Sequence, residues 1–219
     1  MEAGASEIWV KDAHATARNL IAAKLPKEVK LIRGWSQHPF SMVQGLDETH
    51  DALLMIGYHS RAGSDANPLA HTITGRASWV RINDRYASEF LIHGYAAALV
   101  RVPIVYISGD EGICTEAETL IPQIGTLAVK RGIGDSTLSM HPQLAVEKTR
   151  EGVLKALQGN LDSCLIDLPD QFKVEIRYRD HADAYHASFY PRASLKEPHI
   201  VNYESDDYFE IMRLFSFVL

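Results

Sequence analysis

The sequence predicts an α/β fold, in which a mainly parallel central sheet is flanked by helices and a smaller α+β part follows at the C-terminus. Two observations support this prediction. Short apolar runs bounded by turn residues alternate with helical patterns through the first part of the chain, as buried parallel strands and their crossover helices do. Residues 172–178 instead alternate apolar and polar side chains, which is typical of a half-buried antiparallel strand.

Composition excludes several classes of protein. The 219 residues are 46% hydrophobic, which is enough for a substantial core. The formal net charge is −6 and no basic run is present, so we expect no nucleic-acid partner. No apolar run reaches the roughly 18 residues of a membrane span, so we expect no membrane partner either. The two cysteines, Cys114 and Cys164, form neither a CxxC motif nor a disulfide framework, and we expect a cytoplasmic location.

The N-terminal part predicts a β-α-β-α-β order. Residues 2–5 read as the last turn of a helix with its glycine cap. The strands are expected at residues 7–11, 29–33 and 52–56, and the helical segments between them at residues 17–24 and 39–43.

The rest of the chain continues with mixed elements. Residues 78–82 alternate as a strand that turns at residues 83–85. Further helices are expected at residues 87–100, 115–120, 141–157, 181–189 and 206–217. Further strands are expected at residues 102–107, 172–178 and 200–203 and near Val129, and a loop is expected at residues 132–136. We place a soft boundary that divides the chain into residues 1–137, the α/β domain, and residues 138–219, the α+β subdomain.

Three potential metal ligands lie at or just beyond strand ends. His14 and His59 each follow an apolar strand, and Glu89 begins a helix just after a strand and its turn. In parallel sheets the carboxyl ends of the strands share one edge, where ligand sites form, and imidazole and carboxylate suit zinc. Their spacing matches no local zinc motif. A backbone-bonded loop histidine and a carboxylate placed to interact with the helix dipole therefore stay open as alternatives.

His71 ends a polar loop, residues 62–70, beside the hydroxyls of Thr72 and Thr74. It could act as a general base or as a nucleophile, or it could simply cap the strand that follows. Asp110 follows an apolar strand and is better explained as a helix N-cap. Cys114 has no basic neighbour in sequence, so we expect a buried apolar thiol.

Several motifs together resemble one family. They are Lys11-Asp12-Ala13-His14, the run at residues 39–47, Gly57-Tyr58-His59-Ser60-Arg61-Ala62, His71, and Ile82-Asn83-Asp84-Arg85 with Glu89. This set resembles the DppA-like zinc-dependent D-aminopeptidases, peptidase family M55. The resemblance implies a zinc aminopeptidase that releases N-terminal D-amino acids from short peptides or amides, in a cytoplasmic homo-oligomeric ring. It also implies that His14, His59 and Glu89 bind metal and that His71 is the catalytic histidine. It assigns no substrate-binding residue.

One part of the family pattern is not in this sequence. The family holds two zinc ions, using an Asp-x-Glu pair on a first strand in addition to the two histidines and the glutamate. Without that strand and the helix after it, the N-terminal domain is expected to be incomplete and to bind one zinc or none. The alternatives are a truncated or degenerate member that binds one metal or a peptide without catalysis, and a hydrolase-like domain that uses no metal.

Overall fold

The computed structural model describes residues 2–219, which form eleven strands and five α-helices. The strands are β1 (Ile8–Lys11), β2 (Val29–Ile32), β3 (Leu53–Tyr58), β4 (Ala77–Ile82), β5 (Arg85–Tyr86), β6 (Ile104–Asp110), β7 (Gly125–Ile133), β8 (Ser136–Ser139), β9 (Phe172–Tyr178), β10 (Ser194–Glu197) and β11 (Ile200–Ser205). The helices are α1 (Glu89–Leu99), α2 (Glu111–Leu120), α3 (Pro142–Leu157), α4 (His181–Ala187) and α5 (Tyr208–Val218).

A mostly parallel sheet of order β3-β6-β7-β8 forms the centre of the molecule and confirms the predicted fold class. Strands β3, β6 and β7 are parallel, and β8 joins β7 antiparallel at the edge. All seven residues of β6 are buried, because neighbouring strands cover both its edges and helices α2 and α3 pack on it. The carboxyl ends of β3 and β6 therefore meet at one rim, where the residues that follow β3 lie.

A second, antiparallel sheet has the order β10-β11-β9-β4-β5. Strand β9 buries alternate residues, as its sequence pattern predicts, and packs against α4 and α5. Strand β4 lies before residue 137 and pairs with β9, which lies after it, so this sheet joins both sides of the expected boundary. The division of the chain into two domains stays a prediction.

Helix α1 is held deep between these layers. Its residues 89–98 are all buried, and its apolar side chains belong to the main core cluster. The Tyr208 hydroxyl on α5 donates a 2.8 Å hydrogen bond to the Ile92 carbonyl, and the ring of Tyr208 packs against Phe172 and Tyr95. The first turn of α1 is thus fixed in place by packing around the whole helix.

The N-terminal segment differs from the sequence expectation. Strands β1 and β2 form a separate parallel pair, and the expected helix at residues 17–24 is only a 3₁₀ turn, Ala22–Lys24. Most side chains of that segment are exposed, so no apolar face stabilises a longer helix. Residues 2–4 form turns rather than a helix end, and Met1 lies outside the described residues.

The expected loop at residues 132–136 is instead the turn of a hairpin. Strand β7 runs on to Ile133, Gly134 and Asp135 turn the chain, and β8 returns antiparallel. Both strands are largely exposed beyond Lys130, so no apolar alternation marks them in the sequence. Among residues 2–219, no helix combines the length and apolar character needed to cross a membrane.

Candidate metal centre

His59 is the first residue after β3, at the carboxyl rim of the parallel sheet. Gly57 has a φ of 80°, and the β3–β6 register shifts between Ile56 and Tyr58. This irregularity redirects the end of the strand, a role for which glycine has the backbone freedom. The His59 Nδ1 lies 2.9 Å from the Ser60 carbonyl oxygen.

His71 reaches the same place from the far end of the polar loop. Its Nδ1 lies 2.7 Å from the Leu69 carbonyl oxygen. The next residue, Thr72, is fully buried, and its hydroxyl accepts from the Ala62 amide at 3.1 Å and donates to the Ala87 carbonyl at 2.9 Å. Thr72 therefore ties both ends of the loop to the start of α1.

Glu89 is the first residue of α1, after its N-cap Ser88, and is only 5% exposed. Its Oε1 accepts a 2.8 Å hydrogen bond from the Ile73 amide. Ile73 has a φ of 62° and lies inside a tight turn that the Thr74 amide closes onto the Thr72 carbonyl. A β-branched residue in this region is strained, and such strain is concentrated at functional sites. The turn directs a backbone donor at the Glu89 carboxylate.

His59, His71 and Glu89 form a trio of ligand groups whose atoms lie within 4.8 Å of one another. The Nε2 atoms of His59 and His71 each lie 3.6 Å from a different Glu89 carboxylate oxygen, too far for a direct hydrogen bond. The two imidazole rings stack with their centroids 4.3 Å apart.

The chemistry of the trio suits a cation. A backbone carbonyl only accepts, so Nδ1 donates in both rings, and in its neutral form each ring then presents an unprotonated Nε2. Three acceptors thus converge with no donor among their facing atoms. Zinc ligands at about 2.0–2.1 Å in a tetrahedron are roughly 3.4 Å apart, close to the two separations of 3.6 Å. The separation of His59 from Glu89 therefore fits one zinc ion held by these two residues, with His71 directly beside it.

His14 lies elsewhere. It follows β1, is exposed, and is not one of the three groups that converge. Its loop is ordered by the buried Asp12, whose carboxylate accepts from the Asn19 and Leu20 amides at 2.6 and 2.8 Å. Of the four residues expected at the site, the structure brings together His59, His71 and Glu89. The ligand role of His14 stays a prediction.

Two neutral side chains lie close to Glu89. Burial, together with the negative charge of Glu89, raises the pKa of Tyr58 well above its ordinary value, so the phenol stays protonated. Burial lowers the pKa of His93, whose Nδ1 donates to the Glu89 carbonyl at 2.7 Å. Cys114 is a buried thiol as expected, and burial raises its pKa to about 11. Tyr58 and His93 are therefore neutral neighbours of Glu89.

Sequence reasoning missed the residues that hold the loop. Asp110 caps α2 as expected, accepting from the Ile113 amide, but it also binds Ser60 and Asn67 of the loop at residues 59–71, called here the histidine loop. These contacts join positions 43 to 50 residues apart, which no local pattern signals. The sequence signals only an Asp at the end of a strand.

Comparison with known proteins gives one consistent result. A family model described as D-aminopeptidase matches residues 1–217. The D-aminopeptidase of Bacillus subtilis (strain 168) is 34% identical over 194 residues, covering 88% of this chain and 70% of that relative. The solved structure of the "Zn-dependent D-aminopeptidase DppA from Bacillus subtilis, a self-compartmentalizing protease" superposes with a TM-score of 0.92 at 31% identity, covering 99% of this chain and 79% of that one.

Proposed function

The chain belongs to the D-aminopeptidase family, peptidase family M55, and on that premise we propose that it is a zinc-dependent aminopeptidase that releases N-terminal D-amino acids from short peptides or amides. The observation that carries this proposal is the convergence of His59, His71 and Glu89 as three acceptors at the rim of the parallel sheet. The Bacillus subtilis structure, described as zinc-dependent, supports zinc as the metal.

The exposure of the three side chains supports different roles for them. Glu89 and His59 expose 6% and 19% of their side chains, whereas His71 exposes 37%. We therefore assign His59 and Glu89 as zinc ligands and His71, which a substrate reaches most easily, as the catalytic residue. Zinc bound there would polarise the scissile carbonyl and lower the pKa of its water. His71, with an unprotonated Nε2, would take a proton as general base or attack as nucleophile.

His14 is kept as a further proposed ligand on the resemblance alone. Because it lies outside the trio, the zinc content of His14→Ala decides its role: loss of zinc supports it, and an unchanged content rules it out. The position of His14 outside the trio also favours a second candidate function. With three ligand groups converging among residues 2–219, the chain would bind one metal or a peptide without turnover.

We also propose that the chain assembles into a homo-oligomeric ring. The related structure is described as self-compartmentalizing. Large apolar side chains are exposed on the described surface, including Tyr185, Phe189 and Phe217, which are 60–72% exposed and suit contacts between subunits. The two unpaired buried cysteines support a reducing, cytoplasmic location.

The direct test is release of alanine from D-Ala-D-Ala and from L-Ala-L-Ala by the purified chain, before and after zinc is removed with a chelator and restored. The proposal predicts turnover of the D-dipeptide that zinc restores. Equal rates on both dipeptides would contradict the D-preference. Zinc binding without turnover of either dipeptide would favour the non-catalytic function. Turnover that is unchanged after zinc is removed would favour the metal-free alternative.

A further inference from the structure

Asp110 is a buried carboxylate that does more than cap a helix. It is the last residue of β6 and is 0% exposed. Its Oδ1 accepts from the Ile113 amide at 2.9 Å and from the Ser60 hydroxyl at 2.5 Å. Its Oδ2 accepts from the Ser60 amide at 2.7 Å and from the Asn67 side-chain amide at 3.0 Å. Three of these four hydrogen bonds go to the histidine loop, and only one caps α2.

The first arm of this network leads to His59. Ser60 binds Asp110 through both its backbone amide and its side-chain hydroxyl, which fixes the position of the residue. The carbonyl of Ser60 in turn accepts from His59 Nδ1 at 2.9 Å. Ser60 thus joins the Asp110 carboxylate to the His59 ring.

The second arm leads to His71. Asn67 donates its side-chain amide to Asp110, and its Oδ1 accepts from the Leu69 amide at 2.9 Å. The carbonyl of Leu69 accepts from His71 Nδ1 at 2.7 Å. The two arms therefore end in the same way, with a backbone carbonyl bound to the Nδ1 of a trio histidine.

Close packing holds the loop against this corner of the fold. A Cβ at Gly109 would lie 2.2 Å from the Tyr58 carbonyl oxygen, and a Cβ at Gly112 would lie 2.5 Å from Ser60 Oγ. The glycines on either side of Asp110 thus allow the loop to lie directly on the β6–α2 junction. The loop cannot shift without breaking bonds to the buried carboxylate.

We propose that Asp110 is the shared positioning residue of the site: through Ser60 and Asn67 it fixes the tautomer and ring orientation of both His59 and His71. The inference rests on the proposed function for its catalytic consequence, but the tautomers are a property of the metal-free chain. Partners that orient ligating histidines in this way commonly change metal affinity by roughly 10–100-fold when they are removed.

The test compares Asp110→Asn, Ser60→Ala and Asn67→Ala with the control Asp207→Ala. Asp207 also caps a helix, accepting from the Phe209 amide, but it is exposed and lies outside the loop network. The primary measurement is ¹⁵N NMR of the histidine rings in the metal-free protein, which reports which nitrogen carries the hydrogen. The second measurement is zinc affinity, with zinc alone as the probe. The third is kcat and KM on a D-dipeptide.

We expect Nδ1–H tautomers at positions 59 and 71 in the native chain and in Asp207→Ala, and mixed tautomers at both positions in Asp110→Asn. Ser60→Ala should disturb His59 and weaken zinc binding, whereas Asn67→Ala should disturb His71 and lower kcat with little change in KM. Ser60→Ala and Asn67→Ala keep the N-cap of α2, so they test the inference even if Asp110→Asn fails to fold. Native tautomers in both loop variants, with native zinc affinity and kcat, would overturn the inference. If the native chain shows the expected tautomers but has no peptidase activity, the proposed function is contradicted and the inference about Asp110 is not.

Discussion

The backbone of Gly109 lies directly against the Tyr58 carbonyl, so closely that a Cβ at position 109 would be 2.2 Å from that oxygen. The contact joins the ends of β3 and β6 at the rim that carries His59. A methyl group there would force the two strands apart. The rim of the site is therefore closed by backbone-to-backbone packing.

The variant Gly109→Ala should accordingly destabilise the fold, by about 3 kcal/mol, the upper end of the usual cost of overpacking. Chemical denaturation followed by circular dichroism measures this change. Gly75→Ala is the matched control, because a Cβ at Gly75 meets nothing within 4 Å and its cost should stay within about 0.5 kcal/mol. Equal stability of the two variants would show that the close contact does not exist.

Thr72→Val removes a hydroxyl that bonds both the Ala62 amide and the Ala87 carbonyl, while keeping the shape of the side chain. Two buried backbone groups lose their partner, so we expect a loss of about 1–3 kcal/mol in the free energy of unfolding. Hydrogen exchange should also quicken at the Ala62 amide. Thr119→Val, on the exposed face of α2, is the control, and a loss no greater than that of the control would contradict the assigned role of Thr72.

Glu116 supplies a test of pH dependence. Burial raises the pKa of its carboxyl above the ordinary 4.5, although a Ser88 hydrogen bond and the charge of Arg61 oppose the shift. The folded chain therefore binds this proton more tightly than the unfolded chain, and stability due to Glu116 falls as pH rises above about 4.5. Glu116→Gln should be more stable than the native chain at pH 7 and should lose that part of the pH dependence. A variant less stable at pH 7, measured by denaturation at several pH values, would contradict this.

The two thiols should be unreactive in the folded chain. Cys114 and Cys164 are 5% and 4% exposed, and burial raises the pKa of both. Because the thiolate is the reactive form, a thiol reagent at pH 8 should modify both cysteines slowly in the native chain. It should modify both quickly after the chain is unfolded. A fast phase in the native protein would place one thiol at the surface.

The parts of the fold that the sequence predicts well are those in which burial governs the pattern. Strand β9 agrees residue for residue, because its alternate side chains are buried in the core. The β7–β8 hairpin was missed, because β8 is exposed along its whole length and leaves no alternation. The helix expected at residues 17–24 is wrong for a related reason: apart from Ala17, the side chains of that segment are exposed.

The candidate site shows the same division. Position at strand and helix ends, with the family resemblance, predicts that His14, His59 and Glu89 lie together with His71 beside them, and the structure brings together all of these except His14. The carboxylate of Asp110 and the strained turn at Ile73 were beyond sequence reasoning. Their effect depends on contacts across the fold and on a backbone angle rather than on residue type.

The most direct test of the account is zinc content and turnover of D-Ala-D-Ala measured side by side for the native chain, His59→Ala and His71→Ala. We predict that His59→Ala loses zinc and turnover together. His71→Ala should keep its zinc while kcat falls by roughly 10²–10⁴-fold, as expected for loss of an acid–base group. Full zinc and full turnover in His59→Ala, or native turnover in His71→Ala, would contradict the central claim that these two histidines form the metal centre and its reacting group.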